Sequence, residues 1–164
     1  MVDEFYRQYY NCLFLYRHHE LQRSFYSKLN LGISIASYVI TAASLAGWSI
    51  LAKYDVMWSV IIFASQLANG FKDRFKFSEK IWVLDLYLKA TTPELPVFAK
   101  EARLIQRDEM SAAEIGELID NHEFAWSKFE AEYLLSYGFS LSSFLKKKAH
   151  KLVNKELHYK HLGD

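Results

Sequence analysis

The apolar positions of this chain fall into two long uncharged runs set among segments of helical periodicity. From Leu31 to Ala52 the sequence reads LGISIASYVITAASLAGWSILA, with no charged side chain over about 22 positions. At 1.5 Å per residue that is enough to cross a hydrocarbon core of about 30 Å. A second run, Val56 to Phe71 (VMWSVIIFASQLANGF), holds about 16 residues, just under the usual spanning length, and contains Gln66 and Asn69. With only Lys53, Tyr54 and Asp55 between them, the runs predict a transmembrane hairpin over 31–71. The competing reading makes both runs buried helices of a soluble bundle.

Outside the runs the spacing is helical throughout. Asp3 to Leu29 contains no proline or glycine, and Tyr6, Tyr10, Leu13, Phe14, Leu21, Phe25 and Leu29 predict an amphipathic helix over 1–30 that runs into the first span. Phe77, Ile81, Leu84 and Leu88 predict a helix near 72–90 that continues the second. Both prolines lie in TTPELP, where Thr92 as N-cap, Pro93 at the first helical position and Glu94 in the first turn open a helix near 93–108. Its stripe is Leu95, Phe98, Ala102 and Ile105. Ser111 and Glu114 form a capping-box pattern ahead of a helix near 112–137, with Ile115, Leu118, His122, Trp126, Phe129 and Tyr133 on one face and Gly138 as C-cap. A last helix near 141–160 sets Leu141, Leu145, Ala149, Leu152 and Leu157 against Lys146, Lys147, His150, Lys151, Asn154 and Lys155. The predicted fold is all-α: a two-helix transmembrane hairpin whose long helices extend into a cytoplasmic helical bundle over 72–164.

Charge gives the hairpin a direction. Charged residues make up 24% of the chain yet are absent from Leu31 to Ala52, a segregation concealed by the mean hydropathy of -0.08. Arg17, Arg23 and Lys28 precede the first span and Lys72, Arg74, Lys76 and Lys80 follow the second, whereas the turn holds Lys53 beside Asp55. Both termini are therefore expected in the cytoplasm, with Trp48, Tyr54, Met57 and Trp58 at the outer interface. The first span lies too far into the chain for a cleaved signal and reads as an uncleaved anchor. A net charge of +1 gives no reason to expect nucleic acid as a partner. The basic face of the last helix, Lys146, Lys147, Lys151 and Lys155, has three readings: a solvated surface, contact with anionic headgroups, or phosphate binding.

Candidate chemistry is sparse. Cys12 is the only cysteine, and no nucleophile elbow, glycine-rich phosphate loop or HExxH motif is present. No catalytic residue, metal site or cofactor is expected. His18, beside His19 and Glu20, reads as a packed or interfacial histidine, and His122 as a hydrogen-bonded core residue. Glu101, Asp108, Glu109 and Asp120 fall on polar faces.

The first span carries two seams. Asn30, Ser34, Ser37, Thr41, Ser44 and Trp48 share one stripe, and Gly32, Ala36, Ala43 and Gly47 share another about 130 degrees away. If the small seam packs the hairpin against Ala64 and Ala68, the hydroxyl seam is left for copies of the chain, with Gln66 and Asn69 adding polar atoms to an oligomer or pore. The alternative is that these hydroxyls bond back to their own helix carbonyls.

The aromatic and arginine-bearing leader FYRQYYNCLFLYRHHELQRSFYSKLN, the close-set hairpin at Leu31 to Phe71 and the helical extension after it resemble the SLATT family of two-transmembrane effectors found with bacterial nucleotide-signalling and anti-phage systems. That resemblance implies a non-enzymatic effector in the bacterial inner membrane. Triggered by a nucleotide second messenger or a sensor protein, it would form a homo-oligomer and permeabilise the bilayer. Lys146, Lys147, Lys151 and Trp126 are available to a nucleotide, although their spacing marks no site. Two alternatives stand beside it: a membrane-tethered interaction scaffold and a soluble helical binding protein.

Overall fold

The computed structural model describes residues 1–46, 55–137, 139 and 142–161, and these are all-α, with no strand among them. Helix α1 spans Val2–Ala46, α2 Asp55–Phe75, α3 Phe77–Thr91, α4 Glu94–Gln106, α5 Ala112–Phe129 and α6 Ser143–His161. A π-helical turn, Glu130–Leu134, and a 3-10 turn, Leu135–Tyr137, continue α5. The chain divides into two compact units, one built from Met1–Arg23 with Trp82–Asp164 and the other from Ser24–Ile81.

In the first unit the N-terminal half of α1 is the central element. Phe5 and Tyr9 pack on Phe98 of α4 at 5.9 and 5.5 Å between ring centroids, and Tyr6 donates a hydrogen bond to the Ala102 carbonyl. Gln8 Nε2 donates to the Ile119 carbonyl of α5. His19 meets Tyr87 of α3 edge-on, Arg23 pairs with Asp85, and on α6 Arg17 pairs with Glu156. Neighbours on four helices explain why the predicted inward stripe is incomplete. Phe5, Tyr9, Cys12 and Leu13 are buried here and fall on more than one stripe, because a helix contacted from several directions has no single apolar face for periodicity to find, whereas Phe25 and Leu29, beyond this unit, are exposed.

The other stripes of this unit are close to expectation. Phe98 and Ile105 are buried with Leu95 and Ala102 packed beside them, and Ile115, His122 and Trp126 form the inner face of α5. On α6 the inward residues are Leu145, Ala149 and Val153, a spacing of four and four, and Leu152, expected inside, is exposed. Leu141 and Gly138 lie outside the described residues.

Helix ends follow local chemistry. Ser111 and Glu114 close the expected capping box, the Ser111 N–H donating to the Glu114 carboxylate while its hydroxyl oxygen accepts from the Glu114 N–H. α4 ends in a Schellman motif: the Asp108 N–H donates to Ile105 and the Glu109 N–H to Leu104, with Asp108 at φ 57. The start of α4 differs from expectation. Thr92 donates its hydroxyl back to the Leu88 carbonyl and so finishes α3, and Pro93 occupies the cap position with no side-chain hydrogen bond. Pro96 is tolerated because the N–H it lacks would have no partner in the first turn.

In the second unit, α2 does not run unbroken into α3. Lys76 adopts φ 46 between them, and its carbonyl accepts from the Lys80 N–H at the start of α3. Among the described residues Phe77 is the one buried side chain of this unit. No helix among the described residues is long and apolar enough to cross a membrane. The last part of the first predicted span, residues 47–52, lies outside them, as do Lys53 and Tyr54 of the turn.

Candidate functional site

Among its described residues the second unit buries one side chain, Phe77, and leaves much of its apolar surface exposed. Of the 21 exposed large hydrophobic residues in the described chain, 13 lie between Ser24 and Ile81. On α2, Val56, Val60, Phe63, Leu67 and Phe71 recur at four, three, four and four, which places them on one face. Val56 is 79% exposed and Phe63 63%. On α1, Leu31, Ile35, Tyr38 and Val39 are exposed likewise. Scattered exposed apolar residues are ordinary on a soluble surface, but stripes of this length mark a surface awaiting an apolar partner. The α2 spacing is legible in the sequence. It is the face, rather than the run, that the structure adds.

The two predicted seams are placed in this unit as follows. Ser34 and Ser37 are half-buried along with Asn30, and Thr41 is exposed, its hydroxyl donating to the Ser37 carbonyl at 2.8 Å. That back-bond satisfies Thr41 within its own helix. Gly32, Ala36 and Ala64 are exposed, and a Cβ built on Gly32 would meet nothing within 4 Å. Among the described seam residues, then, Gly32, Ala36 and Thr41 are exposed, and Asn30, Ser34 and Ser37 share a half-buried side with Ile33 and Ile40. Gln66 is exposed. Gly47 and Trp48 lie outside the described residues, as do the side chains of Ala43, Ser44, Ala68 and Asn69.

The first unit holds a second candidate that the sequence did not signal. A groove of about 380 Å³ runs between α1 and α5, with Glu4, Arg7, Gln8, Cys12, Glu123 and Glu130 among its lining residues. Three carboxylates against one guanidinium suit a cationic or hydrogen-bond-donating group better than a phosphate. Burial, reinforced by the Glu130 charge, pushes the Cys12 thiol up to about 12, so it is a packed thiol and not an activated nucleophile. Burial also raises the Glu130 carboxyl, which begins the π turn. Trp126, which lines the groove, buries its Nε1, and Tyr87 its OH, without completing a hydrogen bond. Burial drives the Tyr87 phenol well above its usual range, with Glu130 adding to the rise and Trp126 opposing it.

The histidines are core residues. His122 is buried, bonded through Nε2 to Glu101 Oε2 at 2.5 Å and stacked on Phe98 at 3.5 Å, as its place in the stripe suggested. His18 is fully buried with both ring nitrogens unpartnered, and His19 contacts Gln22 through Nδ1 at 3.2 Å. Burial lowers both, His19 to about 4, with the Lys146 charge acting further on His18 and the His18 charge on His19. Among the described residues no three His, Cys, Asp or Glu side chains are gathered for a metal ion. On α6, Lys147, Lys151 and Lys155 form an exposed row at a spacing of four, whereas Lys146 is half-buried. His150 is exposed on the same helix, as its place on the polar face suggested, where it meets Tyr10 OH at 2.8 Å and stacks on the Phe14 ring. No protein-family model, characterised protein or solved structure matches the chain.

Proposed function

We propose that this protein is a membrane effector: the helices of its first unit receive a signal, and the apolar second unit engages the inner membrane, assembles with other copies and disrupts the bilayer. The exposed face of α2 from Val56 to Phe71 carries the proposal. It is apolar over more than four turns, it belongs to a unit with almost no core among its described residues, and hydrocarbon is the partner that removes such a surface from water at about 25 cal/mol per Å². The resemblance to the SLATT effectors supplies the signal-dependent role, and no catalytic step is needed. The acidic groove on the first unit is poorly suited to a nucleotide messenger, so an anionic trigger is better matched to the Lys147, Lys151 and Lys155 row.

Dye release from vesicles tests the activity. In its signal-activated state the full chain should release an encapsulated dye, and Phe63→Glu with Leu67→Glu should abolish release while leaving the helical circular dichroism unchanged. Binding to vesicles without release, with no loss of membrane potential on expression, would instead support a membrane-tethered scaffold and remove the disruptive role.

A further inference from the structure

One end of the apolar stripe is ringed by aromatic and basic side chains. Phe71 stacks on Phe75 at 5.8 Å and Phe75 on Phe77 at 5.7 Å, Phe77 meets Tyr26 at 6.0 Å, and Tyr26 meets Phe25 at 5.9 Å. The chain of rings thus joins α1, α2 and α3 within the second unit. Phe25, Phe71 and Phe75 are about half exposed. The Lys80 ammonium sits 5.6 Å over the Tyr26 ring. The Lys76 break lies inside this collar, between the stacked Phe75 and Phe77. Lys28, Arg74 and Lys76 are exposed around it. Lys28 and Arg74 make no ion pair among the described residues, and the one that Lys76 makes, with Glu79 at 3.2 Å, is solvent-exposed and weak. Counting Lys72 and Lys80 against Asp73 and Glu79, this end of the unit carries five basic residues and two acidic ones.

Half-exposed rings beside exposed cations, at the end of an apolar stripe, match the boundary between hydrocarbon and headgroups. A second copy of the chain is a poorer occupant, since it would bring the same positive surplus to the same place. We infer that the collar is a binding site for anionic lipid headgroups, in which Lys28, Arg74 and Lys76 contact the phosphates while Phe25, Phe71 and Phe75 sit among the glycerol and upper acyl groups. The site presupposes the membrane attachment proposed above. It adds a lipid preference that an apolar stripe alone does not have.

Flotation of the full chain with two sets of vesicles tests it, phosphatidylcholine alone and phosphatidylcholine mixed with phosphatidylglycerol. Each cation near an anionic surface favours binding by about fivefold, so the three together predict a preference of about a hundredfold for the mixed vesicles, shrinking as salt is added. Substituting Lys28→Gln, Arg74→Gln and Lys76→Gln together should erase the preference and leave residual binding to phosphatidylcholine. The matched change of Lys147, Lys151 and Lys155 to Gln should retain it. Equal affinity for both vesicles, or a preference that survives the collar variant or vanishes in the α6 variant, overturns the headgroup site and leaves membrane attachment standing. Flotation with neither vesicle overturns both.

Discussion

His18 and His19 are neighbours in sequence, both are buried, and both are held neutral by their surroundings. A histidine whose folded pKa is depressed binds its proton more readily in the unfolded chain. The stability it contributes is therefore present above the usual value of 6.5 and is lost as pH falls toward about 4. For His19 the depression corresponds to a loss on the order of 3 kcal/mol. The melting temperature should drop across that window, and His19→Gln, which keeps a polar side chain beside Gln22 but cannot titrate, should flatten the drop. Parallel pH profiles for the two proteins would contradict it.

At the scale of the element, the ends of helices are the most sharply determined features. Ser111→Ala removes the hydroxyl of the capping box and is expected to cost about 1 kcal/mol, read as a lower denaturant midpoint with an unchanged slope. This cap was legible because both of its partners lie within four residues. So were the stripes of α4 and α5, each of which meets the core along one face. Thr92 was misread because a threonine between two helices can serve either, and only the distance to the Leu88 carbonyl decides. The break at Lys76 has no glycine or proline to announce it. On α6, Leu152 and Val153 are adjacent apolar residues, and the burial of Leu145 and Ala149 four residues apart selects Val153. The groove between α1 and α5 joins side chains more than 100 residues apart, a juxtaposition that no local spacing encodes. Of the site, the apolar runs and flanking charges were readable, but which of the described seam residues are half-buried was not, because it depends on which residues α1 packs against.

Across the whole molecule the two units solve the hydrophobic problem differently. The first buries Phe5, Leu13, Leu84, Tyr87 and Phe98 almost completely, whereas the second leaves a stripe of α2 in water with Phe77 as its one buried side chain among the described residues. The first unit has the core of a folded domain, which the described residues of the second do not form. The most direct measurement is fractionation of cells expressing the full chain, with carbonate extraction of the membranes. The chain should pellet with the membranes and resist extraction, and Phe63→Glu with Leu67→Glu should release it. Quantitative recovery of the unaltered chain in the supernatant without detergent, as a monomer, would contradict the membrane role.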